Sequence, residues 1–358
     1  MTPWNETPSG KPRARGIGIP FQGIPGVNNA ITDVEGVAVG YSTLIEGDSV
    51  RTGVTAILPR PVEALRTPVF AGCHSLNGNG ELTGTLWMEE AGRMDCPMTI
   101  TNTHSCGVAR DSTIRWMVER VGPEKWVLPV AGETYDGILN DINGFHVHHS
   151  HVVAALDNAT TGRIEEGSVG GGTGMICYGY KGGSGTASRR VEIAGKSCTV
   201  GAFVQANFGR PHQLTVAGVP VGRILDRAYE MDERGSIIAT IATDAPLLPH
   251  QLKRLARRVG LGIGRSGAIS GHGSGDIFLA FSTANGGAQQ EQARMSTATF
   301  VPNVHLDPLF AAVIESIDEA ILNALVANDS MNGFKGSRVE NLPREKLVRI
   351  LSQHGVLS

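Results

Sequence analysis

A serine at the start of an apolar run is the first residue of this chain with a clear chemical use. Gly235 precedes Ser236, and the isoleucine-rich segment 237–241 follows it. β-Branched residues in a short apolar run predict a buried strand, and glycine permits a turn before it. A hydroxyl at the mouth of a core strand suits a nucleophile, and a cut before Ser236 would free an α-amine that can act as its base. The simpler alternative is a serine that only opens a strand after a turn.

Ser274 and Asp276 lie two positions apart in the glycine-rich segment "HGSGD" (272–276), just before a predicted strand. Residues two apart on an extended segment point to the same side. A hydroxyl beside a carboxylate can pass on a proton or orient a nucleophile. A serine–aspartate turn is the alternative.

Three further polar residues could bind and stabilise a substrate. Glu133 and Tyr135 are same-side neighbours in "GETYDG" (132–137) if that segment is extended, and Asn207 ends the apolar run in "QANFG". A carboxylate that faces a pocket would bind an ammonium group. A tyrosine hydroxyl or an asparagine amide can donate a hydrogen bond to a developing oxyanion.

The histidines at 146, 148, 149 and 151 form a dense cluster. On a strand, the first two would share one face and the last two the other, which argues against one metal site. No HExxH motif occurs, so we expect no metal there and interpret these histidines as part of a polar loop or a subunit contact.

The glycine-rich segment 167–185 raises the question of phosphate binding. Gly195-Lys196-Ser197 follows it, but Arg190 occupies the position that the first glycine of a P-loop requires. We therefore interpret the segment as turns or as close backbone approach to a site.

Composition narrows the class of protein. The chain has 358 residues, enough for one large or two ordinary domains, and its formal net charge of −3 suggests neither a nucleic-acid partner nor an anionic membrane. No apolar run reaches the length of a membrane span, and no signal peptide is recognisable. Five scattered cysteines without a CxxC pair favour thiols in a reducing compartment, so we expect a soluble cytoplasmic protein.

Apolar periodicity predicts the elements that must position these residues. We expect helices over 81–91 and 107–121, from Pro249, from Asp307 as N-cap and near Pro343, and an arm or tether over 1–20. We expect strands within 31–45, 53–60 and 126–142, a short apolar run at 151–156, a hairpin-like pair over 199–209 and 213–222, and a strand over 275–285. This order favours an α+β layered architecture.

Several segments together resemble one enzyme family. "GETYDGILNDINGF", "VQANFG", "RGSIIATIATDAPLLPHQLKRLARRVGLGIGR" and "GSGDIFLAFSTAN" are similar to the L-aminopeptidase/D-esterase and β-peptidyl aminopeptidase family. The resemblance runs from "PFQGIPGVNNAITDVEGVAVG" to the final helices, nearly the whole chain. It implies a four-layer α-β-β-α sandwich like that of the N-terminal nucleophile hydrolases, with different strand connectivity.

The resemblance also implies self-cleavage of a single domain, 1–358, at the Gly235–Ser236 bond. The products would be a large chain, 1–235, and a small chain, 236–358, which stay together and assemble as a homotetramer of such pairs.

Roles follow from the resemblance position by position. They are Ser236 as nucleophile, Ser274 and Asp276 as the supporting pair, Tyr135 and Asn207 as oxyanion stabilisers, and Glu133 as the carboxylate for the substrate's amine. Some members carry glutamate where this chain has Asp276. Aspartate is one methylene shorter, so the resemblance alone does not establish that it reaches Ser274.

The implied activity is that of a self-processing serine aminopeptidase for short peptides, amides and esters with a free amine, without a metal or organic cofactor. Preference among L-, D- and β-amino acids stays open. One alternative is an acyltransferase of the ornithine acetyltransferase type, but those enzymes have threonine at the cleaved junction, where this chain has Ser236. Another is an inactive ligand-binding homologue, against which the intact set of site residues argues.

Overall fold

The computed structural model describes residues 2–123, 126–227, 235–290 and 295–357. The helices in these ranges are α1 Thr85–Ala91, α2 Cys106–Arg120, α3 His149–Asp157, α4 Val221–Leu225, α5 Pro249–Arg265, α6 Asp307–Val326 and α7 Arg344–Gln353. The strands are β1 Ala38–Glu46, β2 Val50–Leu58, β3 Val69–Gly78, β4 Arg93–Met94, β5 Met98–Asn102, β6 Val130–Thr134, β7 Ile176–Cys177, β8 Tyr180–Lys181, β9 Gly183–Ile193, β10 Lys196–Asn207, β11 Ser236–Thr243, β12 Gly275–Ser282, β13 Met331–Asn332 and β14 Arg338–Val339.

Two sheets organise the chain. The smaller has four strands in the order β1-β2-β5-β6, and the larger has six in the order β4-β3-β12-β11-β10-β9. β5 is parallel to β6, and β11 is parallel to β12. β11, which begins at Ser236, therefore lies inside the larger sheet between β10 and β12.

Alternation along β11 explains how the layers stack. Ile237 and Ile241 belong to an apolar cluster shared with α5 and α6, whereas Ile238 belongs to the cluster between the two sheets. Successive side chains of a strand point to opposite faces, so this strand is buried on both sides. A third apolar cluster packs α2 and α3 on the outside of the smaller sheet. The predicted four-layer α-β-β-α sandwich is confirmed.

The expectation of an N-terminal arm or tether was wrong, because this segment packs against the rest of the protein. Arg13 forms an ion pair with Glu166 at 2.6 Å, and Arg15 forms one with Glu319 at 2.7 Å. Ala14 between them is fully buried. A buried carboxylate needs a partner, and these two arginines supply it, so the segment is fixed against α6 and the segment between α3 and β7.

One segment left without an element type and one predicted strand have their own structures. The run 151–156 lies in α3, because Val152, Ala155 and Leu156 are buried at helical spacing that a short apolar run does not reveal. Segment 213–222 does not pair with β10, because β9 and β11 already occupy both edges of that strand.

The longer elements follow the predicted pattern. α5 begins at Pro249, and α6 is 20 residues long. α6 differs in one detail, because Leu306 occupies the N-cap and Asp307 is the first helical residue. Among the described residues, no helix combines the length and apolar character that a membrane crossing requires.

Candidate active site

Strand register brings three predicted segments together at Ser236. Its Cα pairs with that of Asn207 on β10 and with that of Gly275 on β12. The side chain is 5% exposed, and its hydroxyl donates a hydrogen bond of 2.7 Å to the carbonyl oxygen of Gly235. Arg234, predicted to share a turn with Gly235, lies outside the described residues, as do Asp232 and Glu233.

Ser236 opens onto a cavity of about 500 Å³. Three of the residues predicted from the sequence, Glu133, Tyr135 and Ser236, line the same space. A serine hydroxyl and a carboxylate thus face one volume large enough for a small substrate. The remaining lining residues are Asn79, Gly80, Glu81, Thr103, Gly235 and Gly273.

Glu133 is held rigidly near the end of β6. Its Oε1 accepts a hydrogen bond from the backbone N–H of Glu81 at 3.0 Å, and its Oε2 accepts one from the hydroxyl of Thr103. Burial raises the pKa of this carboxyl group, and these hydrogen bonds oppose the rise. Within the described ranges Glu133 has no ion pair, so a substrate ammonium would supply the missing positive charge.

Asn207 is oriented by two backbone groups. Its Oδ1 accepts a hydrogen bond from the N–H of Ile176 at 2.8 Å, and its Nδ2 donates one to the carbonyl oxygen of Tyr135 at 2.9 Å. A side-chain amide has two N–H donors, so the second can serve an oxyanion. The same contact ties Asn207 to the backbone of the other predicted donor, Tyr135.

Tyr135 depends on its neighbour Gly137. A Cβ atom at Gly137 would lie 2.5 Å from Cζ of the tyrosine ring, closer than atoms can approach. The ring therefore occupies the space that a side chain at position 137 would need.

Ser274 and Asp276 form the predicted pair. The hydroxyl of Ser274 donates a hydrogen bond of 2.7 Å to Oδ1 of Asp276, and both residues are buried. Aspartate is therefore long enough to reach Ser274 in this chain. Burial raises the pKa of Asp276, and hydrogen bonds from Ser270 and Ser274 oppose the rise.

The histidine cluster lies elsewhere. His148 caps α3, and its backbone N–H donates to Nδ1 of His151 at 3.0 Å. The cluster therefore contributes to a helix start and not to a strand. No set of three or more histidine, cysteine or acidic side chains arranged to hold a metal ion occurs among the residues that the structure describes.

The two residues that hydrogen-bond the Glu133 carboxylate were not predicted from the sequence. Thr103 follows β5, whose parallel register with β6 brings it beside Glu133. Glu81 follows the asparagine–glycine segment 77–80 and contributes its backbone N–H. Both depend on which strands are neighbours, and local sequence patterns carry no signal for that.

Comparisons with known proteins identify the family of the chain. The model of peptidase family S58 matches residues 29–339. A β-peptidyl aminopeptidase, BapA of Sphingosinicella microcystinivorans, is 50% identical over 367 aligned positions that cover 96% of this chain and 92% of that protein.

Solved structures are similarly close. An L-aminopeptidase D-Ala-esterase/amidase from Ochrobactrum anthropi, a prototype for the serine aminopeptidases with a variant of the Ntn hydrolase fold, matches with a TM-score of 0.93 and 49% identity, covering 97% of this chain and 100% of that one. A β-aminopeptidase from Burkholderia sp. matches with a TM-score of 0.89 and 48% identity, covering 96% and 99%.

Proposed function

The chain belongs to peptidase family S58, and from this premise we propose that it is a self-processing serine aminopeptidase. Its substrates would be short peptides, amides and esters that carry a free amine. One observation carries the proposal. A serine at the mouth of a core strand and a buried carboxylate without an ion pair among the described residues face the same cavity.

Glu133 would select the free amine. Its two oxygens already hold the hydrogen bonds of Thr103 and Glu81, so the carboxylate is fixed in place before a substrate arrives. An ammonium group would balance its charge. An N-acylated substrate would leave that buried charge unpaired, which costs enough free energy to exclude it. Such a site favours removal of an N-terminal residue over cleavage inside a chain.

Ser236 would attack the substrate carbonyl through its Oγ, forming an acyl-enzyme ester as the leaving group departs. After processing, its own α-amine would accept the hydroxyl proton, because an α-amine has a pKa of about 8, near working pH. The Ser274–Asp276 pair, beside Ser236 on β12, would steady that amine and pass the proton to the leaving group. Water would then hydrolyse the ester.

Tyr135 and Asn207 would stabilise the oxyanion of this step. Asn207 lies across the ladder from Ser236, and its amide is fixed by two hydrogen bonds. A preorganised donor of this kind contributes roughly 3–4 kcal/mol to the transition state. No step in this mechanism calls for a metal or an organic cofactor.

Processing would use the same hydroxyl. Ser236 would attack the carbonyl carbon of Gly235, transfer the acyl group from its nitrogen to its oxygen, and release the ester to water. A Cβ atom at position 235 would lie 2.6 Å from the carbonyl oxygen of Asn207 and 2.7 Å from Cα of Phe208. Glycine is therefore the residue that fits before the nucleophile. The resulting chains, 1–235 and 236–358, would stay joined through the ladder of β10 with β11.

We also propose that the processed pairs assemble as a homotetramer and that the protein is cytoplasmic. The family resemblance supports the tetramer. The five cysteines are free and buried, which fits a reducing compartment. Light scattering on the purified protein gives the mass of the assembly.

The activity is tested with a matched pair of chromogenic substrates. We expect hydrolysis of alanine 4-nitroanilide and none of its N-acetyl form. Colour from neither substrate would favour an inactive ligand-binding homologue. Acyl transfer to an added amine in place of acid release would favour the acyltransferase alternative.

A further inference from the structure

Lys181 is a fully buried lysine with neutral partners. It lies at the end of β8, and its Nζ donates hydrogen bonds of 2.8 Å to the carbonyl oxygen of Met175 and 2.7 Å to that of Gly182. The side chain is 0% exposed, and none of the ion pairs among the described residues includes it. Burying an ammonium costs free energy that two carbonyl contacts offset only in part, and burial lowers the pKa of Lys181 to about 7.

One peptide group connects this lysine to the active site. The carbonyl that accepts from Lys181 belongs to Met175, and the N–H of the same peptide group is that of Ile176. That N–H donates to Oδ1 of Asn207 at 2.8 Å. Oδ1 and Nδ2 of Asn207 belong to one planar side-chain amide, so a change at the oxygen extends to the nitrogen. An unbroken series of hydrogen bonds thus runs from an ammonium through two amides.

Each link in such a series polarises the next. A cation at the carbonyl of an amide draws electron density toward the oxygen and makes the N–H a stronger donor. The effect is greatest at low dielectric, and here Lys181 and Met175 are fully buried and Asn207 is 4% exposed. The final donor, Nδ2 of Asn207, donates one N–H to the carbonyl oxygen of Tyr135 at 2.9 Å, and its second N–H is the one that would serve the oxyanion.

We propose that Lys181 is a positioning residue for catalysis, which polarises the peptide group between Met175 and Ile176 and thereby strengthens Asn207 as an oxyanion donor. The proposal rests on the role of Asn207 in the proposed function. A purely structural lysine would only tie β7 to β8, and a neutral donor could bridge the same two carbonyls. Removal of the charge alone should therefore lower kcat only if Lys181 polarises the peptide group.

A double-mutant cycle tests the connection. Lys181→Met keeps the length and removes the charge, and it is measured alone and together with Asn207→Ala. Because burial lowers the pKa of Lys181 to about 7, kcat is measured at about pH 6, where the ammonium is the main form. At that pH we expect Lys181→Met to lower kcat on alanine 4-nitroanilide about 10-fold or more with little change in KM. In the Asn207→Ala background the same substitution should change kcat less than about threefold, because the series then has no final donor.

The controls separate the possible failures. Lys346→Met on the exposed face of α7 should leave kcat unchanged. If Lys181→Met does not fold, Lys181→Gln retains a donor without the charge, and the rate of precursor cleavage gives a second reaction to follow. Equal losses of kcat in both backgrounds would overturn the role of Lys181 and leave the oxyanion role of Asn207 standing. Full activity of Asn207→Ala would overturn it together with the oxyanion role of Asn207, while hydrolysis itself would still support the aminopeptidase.

Discussion

The hydroxyl of Ser236 donates a hydrogen bond of 2.7 Å to the carbonyl oxygen of Gly235, the residue directly before it. The nucleophile therefore lies beside the one peptide bond that self-processing would break. Both residues also line the cavity that would receive a substrate. The ladders to β10 and β12 fix the position of Ser236. One side chain in one place can thus perform both reactions in turn.

Substitution of Glu133 should remove the selection for a free amine. We expect Glu133→Gln to lower kcat/KM for alanine 4-nitroanilide by about 100-fold or more, because a neutral amide cannot balance the ammonium charge. Glu81→Gln is the matched control, because Glu81 lines the same cavity and its hydrogen bond to Glu133 comes from its backbone N–H, which the substitution keeps. Steady-state kinetics of both variants give the answer. Comparable losses in the two variants would contradict a specific role for Glu133.

A methyl group at Gly137 should displace Tyr135. The added Cβ would lie 2.5 Å from Cζ of the ring, so the ring must move and its hydroxyl with it. If that hydroxyl stabilises the oxyanion, Gly137→Ala should lower kcat roughly 10- to 1,000-fold, as loss of one donor does. Tyr135→Phe should have a similar effect, because it removes the hydroxyl and keeps the ring. Wild-type kcat in either variant would exclude the hydroxyl from the reaction.

The charge of Asp276 is open to a separate test. Asp276→Asn retains an oxygen that can accept from Ser274 but cannot hold a negative charge near the α-amine of Ser236. We expect kcat to fall at least about 10-fold with little change in KM, since proton transfer is impaired and binding is not. Asp48→Asn, in the exposed turn after β1, serves as control. An unchanged kcat in Asp276→Asn would mean that only the hydrogen bond matters.

Asp136 should make the folded state sensitive to pH. The side chain is buried, its Oδ1 accepts from Asn140 at 3.1 Å, and burial raises its pKa to about 7. The folded state therefore holds this proton more tightly than the unfolded state, so stability is lost as pH rises from about 4 through about 7. The loss is at most on the order of 4 kcal/mol.

Asp136→Asn isolates this contribution. The variant cannot titrate at this position, while all other groups do so in both proteins. We expect the stability of the wild type relative to the variant to fall between pH 5 and pH 8, measured by denaturant or thermal unfolding. A difference that stays constant over this range would mean that Asp136 is ionised throughout.

Local patterns along the chain predicted the long elements and the Ser274–Asp276 pair, which the structure contains. The strand at Ser236 was recognisable from its run of β-branched residues, and the helices from Pro249 and Asp307 from their long, regular apolar spacing. The Ser274–Asp276 pair was recognisable because two residues on an extended segment share a side. Family resemblance supplied the roles of these residues, which spacing alone left open.

Other features depend on contacts between distant segments. Thr103 reaches Glu133 only because β5 and β6 are parallel neighbours, and Lys181 reaches Asn207 only through the backbone of residues 175–176. The helix over 151–156 was not predicted, because six apolar-rich residues fit a strand or a buried helix equally well. The N-terminal segment was misread because its arginines pair with carboxylates more than 150 positions away.

Intact mass under denaturing conditions tests the central claim most directly. For active wild-type protein we expect two species, with the masses of residues 1–235 and 236–358, and for Ser236→Ala one inactive species of full length. Ser282→Ala, at the far end of β12, should process normally and so controls for loss of a buried serine. A single full-length mass for wild-type protein that hydrolyses alanine 4-nitroanilide would contradict catalysis by a liberated N-terminal serine.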